Sequence, residues 1–178
     1  FSSSYYIPSL REIIGRTILE MDPPDHQRYR SLIQGAFTKK EMVRWERDFV
    51  RDIVAAQLDK LAPLGRGDLA ADFAFHYPIT VTAVAAGLPV EDVPTFYEQA
   101  ALLTNVAVTP ERRLAAAADL GELVRKVIAA RQADPQDDLI SILVEAEITE
   151  PDGSQHRLSD DEIVAFLRLL VPAGAQTT

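Results

Sequence analysis

Apolar residues recur with a helical period along most of this chain, and polar caps and Pro/Gly turns mark where each run starts and stops. The first clear run covers residues 23–37. Asp22 suits its N-cap, Pro23 fits the first helical position with its fixed φ, and Asp25 lies where a carboxylate favours the helix dipole. Thr38 opens a second helix, with Glu41 three residues on completing a capping box. Met42, Trp45, Phe49, Ile53 and Ala56 recur on one face of it. The helix ends near Leu61, where Pro63, Gly65 and Gly67 punctuate a turn. Segment 72–86 carries β-branched Ile79, Thr80, Val81, Thr82 and Val84, which also suit a strand. Helix is the preferred reading, because Ala83, Ala85 and Ala86 close the segment and Gly87 follows as a C-cap.

A shorter helix is expected from about Glu91 to Leu103. Thr109-Pro110-Glu111 starts another, rich in Ala and Leu, that reaches about Ala133. Beyond Pro135 comes a short apolar helix with Leu139, Ile140, Ile142 and Leu143. Pro151-Asp152-Gly153-Ser154 reads as a turn between Ile148 and Leu158, the tip of a small hairpin near 148–158. Ser159 with Glu162 makes a second capping box and opens the last helix, which leaves Phe166, Leu167 and Leu170 as an expected open apolar face. Short turns between long helices, without repeats or low-complexity linkers, predict one mainly α domain over 1–178. The chain starts at Phe1 and stops in mid-helix at Thr178, so it reads as a partial domain, truncated at both ends.

Composition narrows the partners. With 178 residues and 47% hydrophobic content the chain can bury a core. Eighteen basic against 27 acidic residues give a net charge of −9, which argues against nucleic acid, since phosphate binding wants a basic surface. No apolar run approaches the roughly 18–20 residues that cross a bilayer, and no leader pattern opens the chain. A cytoplasmic protein without membrane contact is expected. Cys is absent, so disulfides and Cys-based metal sites are excluded within this stretch, and no metal ligand can be named in it.

Two constellations carry candidate chemistry. In Met21-Asp22-Pro23-Pro24-Asp25-His26-Gln27-Arg28-Tyr29-Arg30, His26 and Arg30 lie one turn apart on one face, which Ile33 and Phe37 continue. Two hydrogen-bonding or cationic groups near a helix N-terminus, followed by apolar ones, suit a ligand with carboxylates at one edge of a large apolar body. The spacing also fits a pair that solvates the start of a surface helix, or an Arg30–Asp22 ion pair. In the last helix, Ile163, Leu167, Leu170, Gly174 and Thr177 share a face. Gly174 leaves a notch, Thr177 places a hydroxyl one turn beyond, and Pro172 removes an N–H and is expected to bend the helix. This makes room for a small molecule; a close helix–helix crossing would use the same small residues.

Taken together, the strings resemble one family. Asp22-Pro23-Pro24-Asp25-His26, then Arg30 and Ala36-Phe37-Thr38, resembles the C-helix motif of bacterial cytochromes P-450. Leu169-Leu170-Val171-Pro172-Ala173-Gly174-Ala175-Gln176-Thr177-Thr178 is similar to their oxygen-binding I helix, whose pattern is Ala/Gly-Gly-x-acid-Thr-Thr. Gly87-Leu88-Pro89 with Glu91-Asp92, Asp137-Asp138-Leu139-Ile140-Ser141 and Leu158-Ser159-Asp160-Asp161-Glu162-Ile163 resemble the stretches between, in the same order.

The resemblance implies the mainly α haem-thiolate fold, from the B–C region to the middle of the I helix. That is less than half of the usual family length. It implies a monooxygenase that puts one oxygen atom of O2 into a small organic substrate. Electrons would come from NAD(P)H through a ferredoxin and ferredoxin reductase, or a similar donor. The cofactor would be haem b. His26 and Arg30 match the residues that bond its propionates, and Ala173, Gly174 and Thr177 match those lining its oxygen side. Gln176 and Thr177 would be the catalytic pair. Tyr5–Leu10, Thr17–Met21 and Val93–Pro110 would cover the substrate. The sequence departs from the pattern in two ways. The iron-ligating Cys would lie outside this chain, so the chain alone is expected to be inactive. Gln176 stands where the family usually has an acid, and an amide cannot relay a proton as a carboxylate can. A non-catalytic haem or small-molecule binding protein on the same fold is the alternative.

Overall fold

Helices form where the caps and the apolar period place them. The computed structural model describes residues 2–3, 8–149 and 152–175. Its helices are α1 (Pro8–Ile14), α2 (Asp25–Gln34), α3 (Lys39–Trp45), α4 (Arg51–Leu61), α5 (His76–Ala85), α6 (Val93–Thr104), α7 (Pro110–Ala133), α8 (Leu139–Glu145) and α9 (Asp160–Ala175). Two short strands, β1 (Glu147–Thr149) and β2 (Gln155–Arg157), pair antiparallel with Ile148 opposite His156. The protein is mainly α with one small hairpin, as the pattern predicts. Asp152 accepts from the Ser154 amide at 2.9 Å inside the turn, where Gly153 takes φ +84°.

Several boundaries differ from expectation, each for a local reason. The helix expected over 23–37 begins at Asp25, as α2, and Asp22 does not cap it with its side chain. The Asp22 carboxylate instead accepts from the Ser3 amide at 2.8 Å and hydroxyl at 3.0 Å, and from the Ser2 hydroxyl. Its main-chain carbonyl still accepts from the His26 amide at 3.0 Å. The expected helix over 38–61 is interrupted at Glu46–Val50 by a wide π turn, which divides it into α3 and α4. Segment 72–86 is helical in spite of its β-branched run. The Thr80 and Thr82 hydroxyls donate to the carbonyls four residues back, at 3.1 and 2.9 Å, so the polar groups of those residues are satisfied within the helix. Pro172 does not end α9, which continues through it to Ala175.

The core lies where α9 packs against α5, α6, α7 and α8. Ile163, Val164, Leu167 and Val171 of α9 are at most 1% exposed, as are Leu120, Val124 and Ile128 of α7 and Leu139, Ile140 and Leu143 of α8. Each such side chain contributes about 1.5–3 kcal/mol relative to exposure. The face of α9 expected to stay open is therefore covered in part. Leu167 is fully buried, and Phe166 and Leu170 pack against the core. The sequence expectation failed because it allowed no partner for that face, and α5–α8 supply one.

A polar node locks the ends of α5 and α7 to the start of α8. Asp138 caps α8 by accepting from the Ser141 amide at 2.8 Å. Arg131 meets the Asp138 carboxylate at 2.5 Å and the Gly87 carbonyl at 2.8 Å. Gly87 has φ +83°, and a Cβ there would lie 2.1 Å from an Asp138 oxygen, so only glycine fits.

Candidate functional site

Helix α2 presents its two candidate groups unencumbered. Arg28 is held by Asp25, which also takes Arg16 at 3.4 Å. Neither the His26 ring nor the Arg30 guanidinium has a hydrogen-bond or ion-pair partner among the described residues. The Arg30–Asp22 pair, open as a reading of the sequence, is not formed. His26 is half-buried and Arg30 exposed, so one turn of helix displays two nitrogen-bearing groups on a face that half-buried Ile33 continues. This arrangement can hold an oxyanion pair by charge-assisted hydrogen bonds.

The orientation of that stripe is set by Ile33, which continues it and packs on the core, and by Tyr29 on the neighbouring face, which reaches α9. The Tyr29 hydroxyl donates to the Glu162 carboxylate. The same carboxylate accepts from the Ser159 amide at 2.8 Å and hydroxyl at 2.7 Å, while Ser159 Oγ accepts from the Glu162 amide at 3.3 Å. Glu162 thus closes the capping box of α9 and ties α2 to it. Burial first, and then the bond to Glu162, push the Tyr29 hydroxyl up to about 12. Burial alone would raise the Glu162 carboxyl, but the hydrogen bonds from Tyr29 and Ser159 outweigh it and hold the group below its usual range. Tyr29 was not singled out in the sequence. Its only signal there was an aromatic side chain between two arginines on a polar helix.

At the far end of α9, Ala173 is exposed and Gly174 half-buried. A Cβ on Gly174 would lie 3.3 Å from the Thr82 hydroxyl oxygen. The notch therefore lets α5 approach, which was the crossing reading of the same small residues. Gln176 and Thr177, the expected catalytic pair, lie outside the described residues, as do Tyr5–Ile7 of the expected substrate cover. Beside Pro172 opens a cleft of about 140 Å³, walled by α1, the end of α6 and the start of α7. Among the described residues no cluster of three His, Asp or Glu could hold a metal, and no helix is long and apolar enough to cross a membrane.

No family model matches the chain. Individual relatives do. A cytochrome P450 of Bacillus subtilis (strain 168) is 35% identical over 170 residues, covering 94% of this chain and 40% of the relative. The vitamin D(3) 25-hydroxylase of Pseudonocardia autotrophica is 32% identical over 158 residues, covering 89% of this chain and 38% of that protein. The crystal structure of substrate-free CYP109E1 from Bacillus megaterium superposes with a TM-score of 0.83 at 29% identity, over 99% of this chain and 47% of that one. The chain spans about two-fifths of the length of the curated relatives it matches. In sequence and in fold, over nearly all of its length, this chain belongs with the bacterial cytochromes P450, as a stretch of that enzyme family.

Proposed function

We propose that this chain is part of a longer bacterial haem-thiolate monooxygenase. That enzyme puts one oxygen atom of O2 into a small organic substrate, with electrons from NAD(P)H delivered by a ferredoxin and its reductase or a similar donor. It works in the cytoplasm. The observation that carries this reading is the unpartnered pair on α2. A haem has two propionates at one edge of an apolar body, and His26 and Arg30, which no described residue engages, offer two groups to meet them beside half-buried Ile33. The residues present fit the group.

When bound through a thiolate from outside this chain, the haem supplies the activation of O2. This chain's residues hold and surround it. His26 and Arg30 bond the propionates, Tyr29 keeps their helix in register with α9, and Ala173 and Gly174 line the oxygen side. Thr177 would position water there by its hydroxyl, and Gln176 would orient water by its amide but has no titratable proton to give. The name of the vitamin D(3) 25-hydroxylase supports hydroxylation as the reaction type.

The test is haem retention by the longer protein. Arg30→Ala is expected to weaken it by about 1.5–3 kcal/mol, the worth of a hydrogen bond to a charged group, and His26→Ala by less. Unchanged retention in the double variant overturns the assignment. A second measurement addresses α9: product formed per NAD(P)H consumed is expected to fall in Thr177→Ala with haem content unchanged.

A further inference from the structure

The cleft beside Pro172 has one charged wall. Ile13 and Ile14 of α1, Leu103 and Thr104 of α6 and Pro172 of α9 line it, and among the described residues Arg113 of α7 supplies the only ionisable side chain on its walls. The first four are buried, with exposures between 3% and 8%. Val106, in the turn between α6 and α7, stands at the rim and is 88% exposed. Arg113 Nε donates to the Leu103 carbonyl at 3.2 Å. That bond fixes the guanidinium plane against the end of α6 and leaves Nη1 and Nη2 as a free fork. Among the described residues no carboxylate meets either nitrogen.

Arg113 differs from four of the other arginines, although Arg30 is likewise unpaired among the described residues and Arg168 likewise donates to a carbonyl, that of Ala117. Arg28, Arg44, Arg125 and Arg131 each sit on a carboxylate, and the sequence has 27 acidic residues from which to supply one more. A half-buried guanidinium between apolar walls binds an oxyanion well, because its fork matches two oxygens and the walls keep water from competing. The volume, about 140 Å³, is below the roughly 300 Å³ of a pocket that encloses a whole small molecule. The cleft therefore suits one end of a ligand. Pro172 precedes Ala173 and Gly174 in α9, so the cleft opens within one helical turn of the residues proposed to line the oxygen side.

We infer that the substrate is a carboxylate on an apolar body, anchored by the Arg113 fork; this rests on the oxygenation function proposed above.

The experiment titrates the longer, haem-loaded protein calorimetrically with dodecanoate and with methyl dodecanoate. Wild type is expected to bind the acid at least about tenfold more tightly than the ester, the worth of one charge-assisted hydrogen bond. Arg113→Gln should bring the two ligands level, and Arg113→Lys should restore part of the preference. Equal affinities in wild type, no binding of dodecanoate at millimolar concentration, or a preference that survives in Arg113→Gln would each overturn the inference. Haem content of the same preparations separates the two levels. A protein that fails to retain haem overturns the proposed function, whereas one that retains it without discriminating acid from ester overturns only the role of Arg113.

Discussion

Helices α3–α4 and α9 start from the same sequence device and end in opposite environments. Each opens with a hydroxyl cap and a glutamate three residues on, and each carries apolar side chains at helical spacing. In α9 the box closes in both directions and the apolar face is packed against α5–α8. In α3 only the Thr38 half forms, with Oγ1 accepting from the Glu41 amide at 3.3 Å. The Glu41 carboxylate turns away to Arg44, 2.6 Å from Nη2. No residue of α3, the π turn or α4 is buried. Phe37, Trp45 and Phe49 instead stack among themselves, at 5.7 and 5.9 Å between ring centroids. Amphipathic period specifies a helix; coverage of its face depends on what other elements bring to it.

The sharpest way to break this comparison is to cut the α9 core. Leu167→Ala is expected to cost about 2–5 kcal/mol, because it leaves a cavity among fixed neighbours. Urea denaturation would measure it, and a loss below 1 kcal/mol would mean that α9 is not the packed centre. The caps come next. Ser159→Ala removes two bonds and should cost about 1–2 kcal/mol, while Thr38→Ala removes one and should cost about 0.5–1 kcal/mol. Equal losses would show that the bond from the Ser159 hydroxyl to the Glu162 carboxylate adds nothing.

The link between α2 and α9 gives a pH signature. The Tyr29 hydroxyl is raised, first by burial and then by Glu162, from its ordinary 10.0 to about 12. Its contribution to stability is complete below the unfolded value and is lost as pH rises from there through the folded one. Tyr29→Phe should cost about 1 kcal/mol at neutral pH and should flatten the alkaline decline of the denaturation midpoint. An unchanged alkaline decline in the variant would remove Tyr29 as its cause. The smallest effect is expected at Val43 on α3, which is 56% exposed. Val43→Ala should stay within about 0.5 kcal/mol, and a larger loss would show that something covers that face.

Most of the helical layout was legible because its signals are local. Thr109 caps α7 from its own neighbourhood, Ser159 and Glu162 cap α9, and Gly87 ends α5 with a positive φ. The β-branched run of α5 was ambiguous, and the back-bonds of Thr80 and Thr82 resolve it within one turn. What stayed hidden depends on residues distant in the chain. Arg113 looks like one more solvated charge in Glu111-Arg112-Arg113 until the end of α6 and Pro172 close around it. Tyr29 gains meaning only from Glu162, 133 residues away. The Gly174 notch was visible, but its occupant, Thr82, was not. The candidate pair His26 and Arg30 was legible from spacing; that no described residue engages them is a fact of the tertiary structure.

The node at Gly87 has a mechanical consequence. Arg131 bonds the Gly87 carbonyl across 44 residues of chain, so the excursion through α6 and α7 departs from and returns to a single knot. The turn that carries Val106 is the far end of that loop, and Arg131 is its clasp. Opening the clasp by Arg131→Ala would release both ends of the loop together and strand the Asp138 charge. Damage at the base would then be felt at the rim of the Pro172 cleft, although neither residue of the clasp touches it.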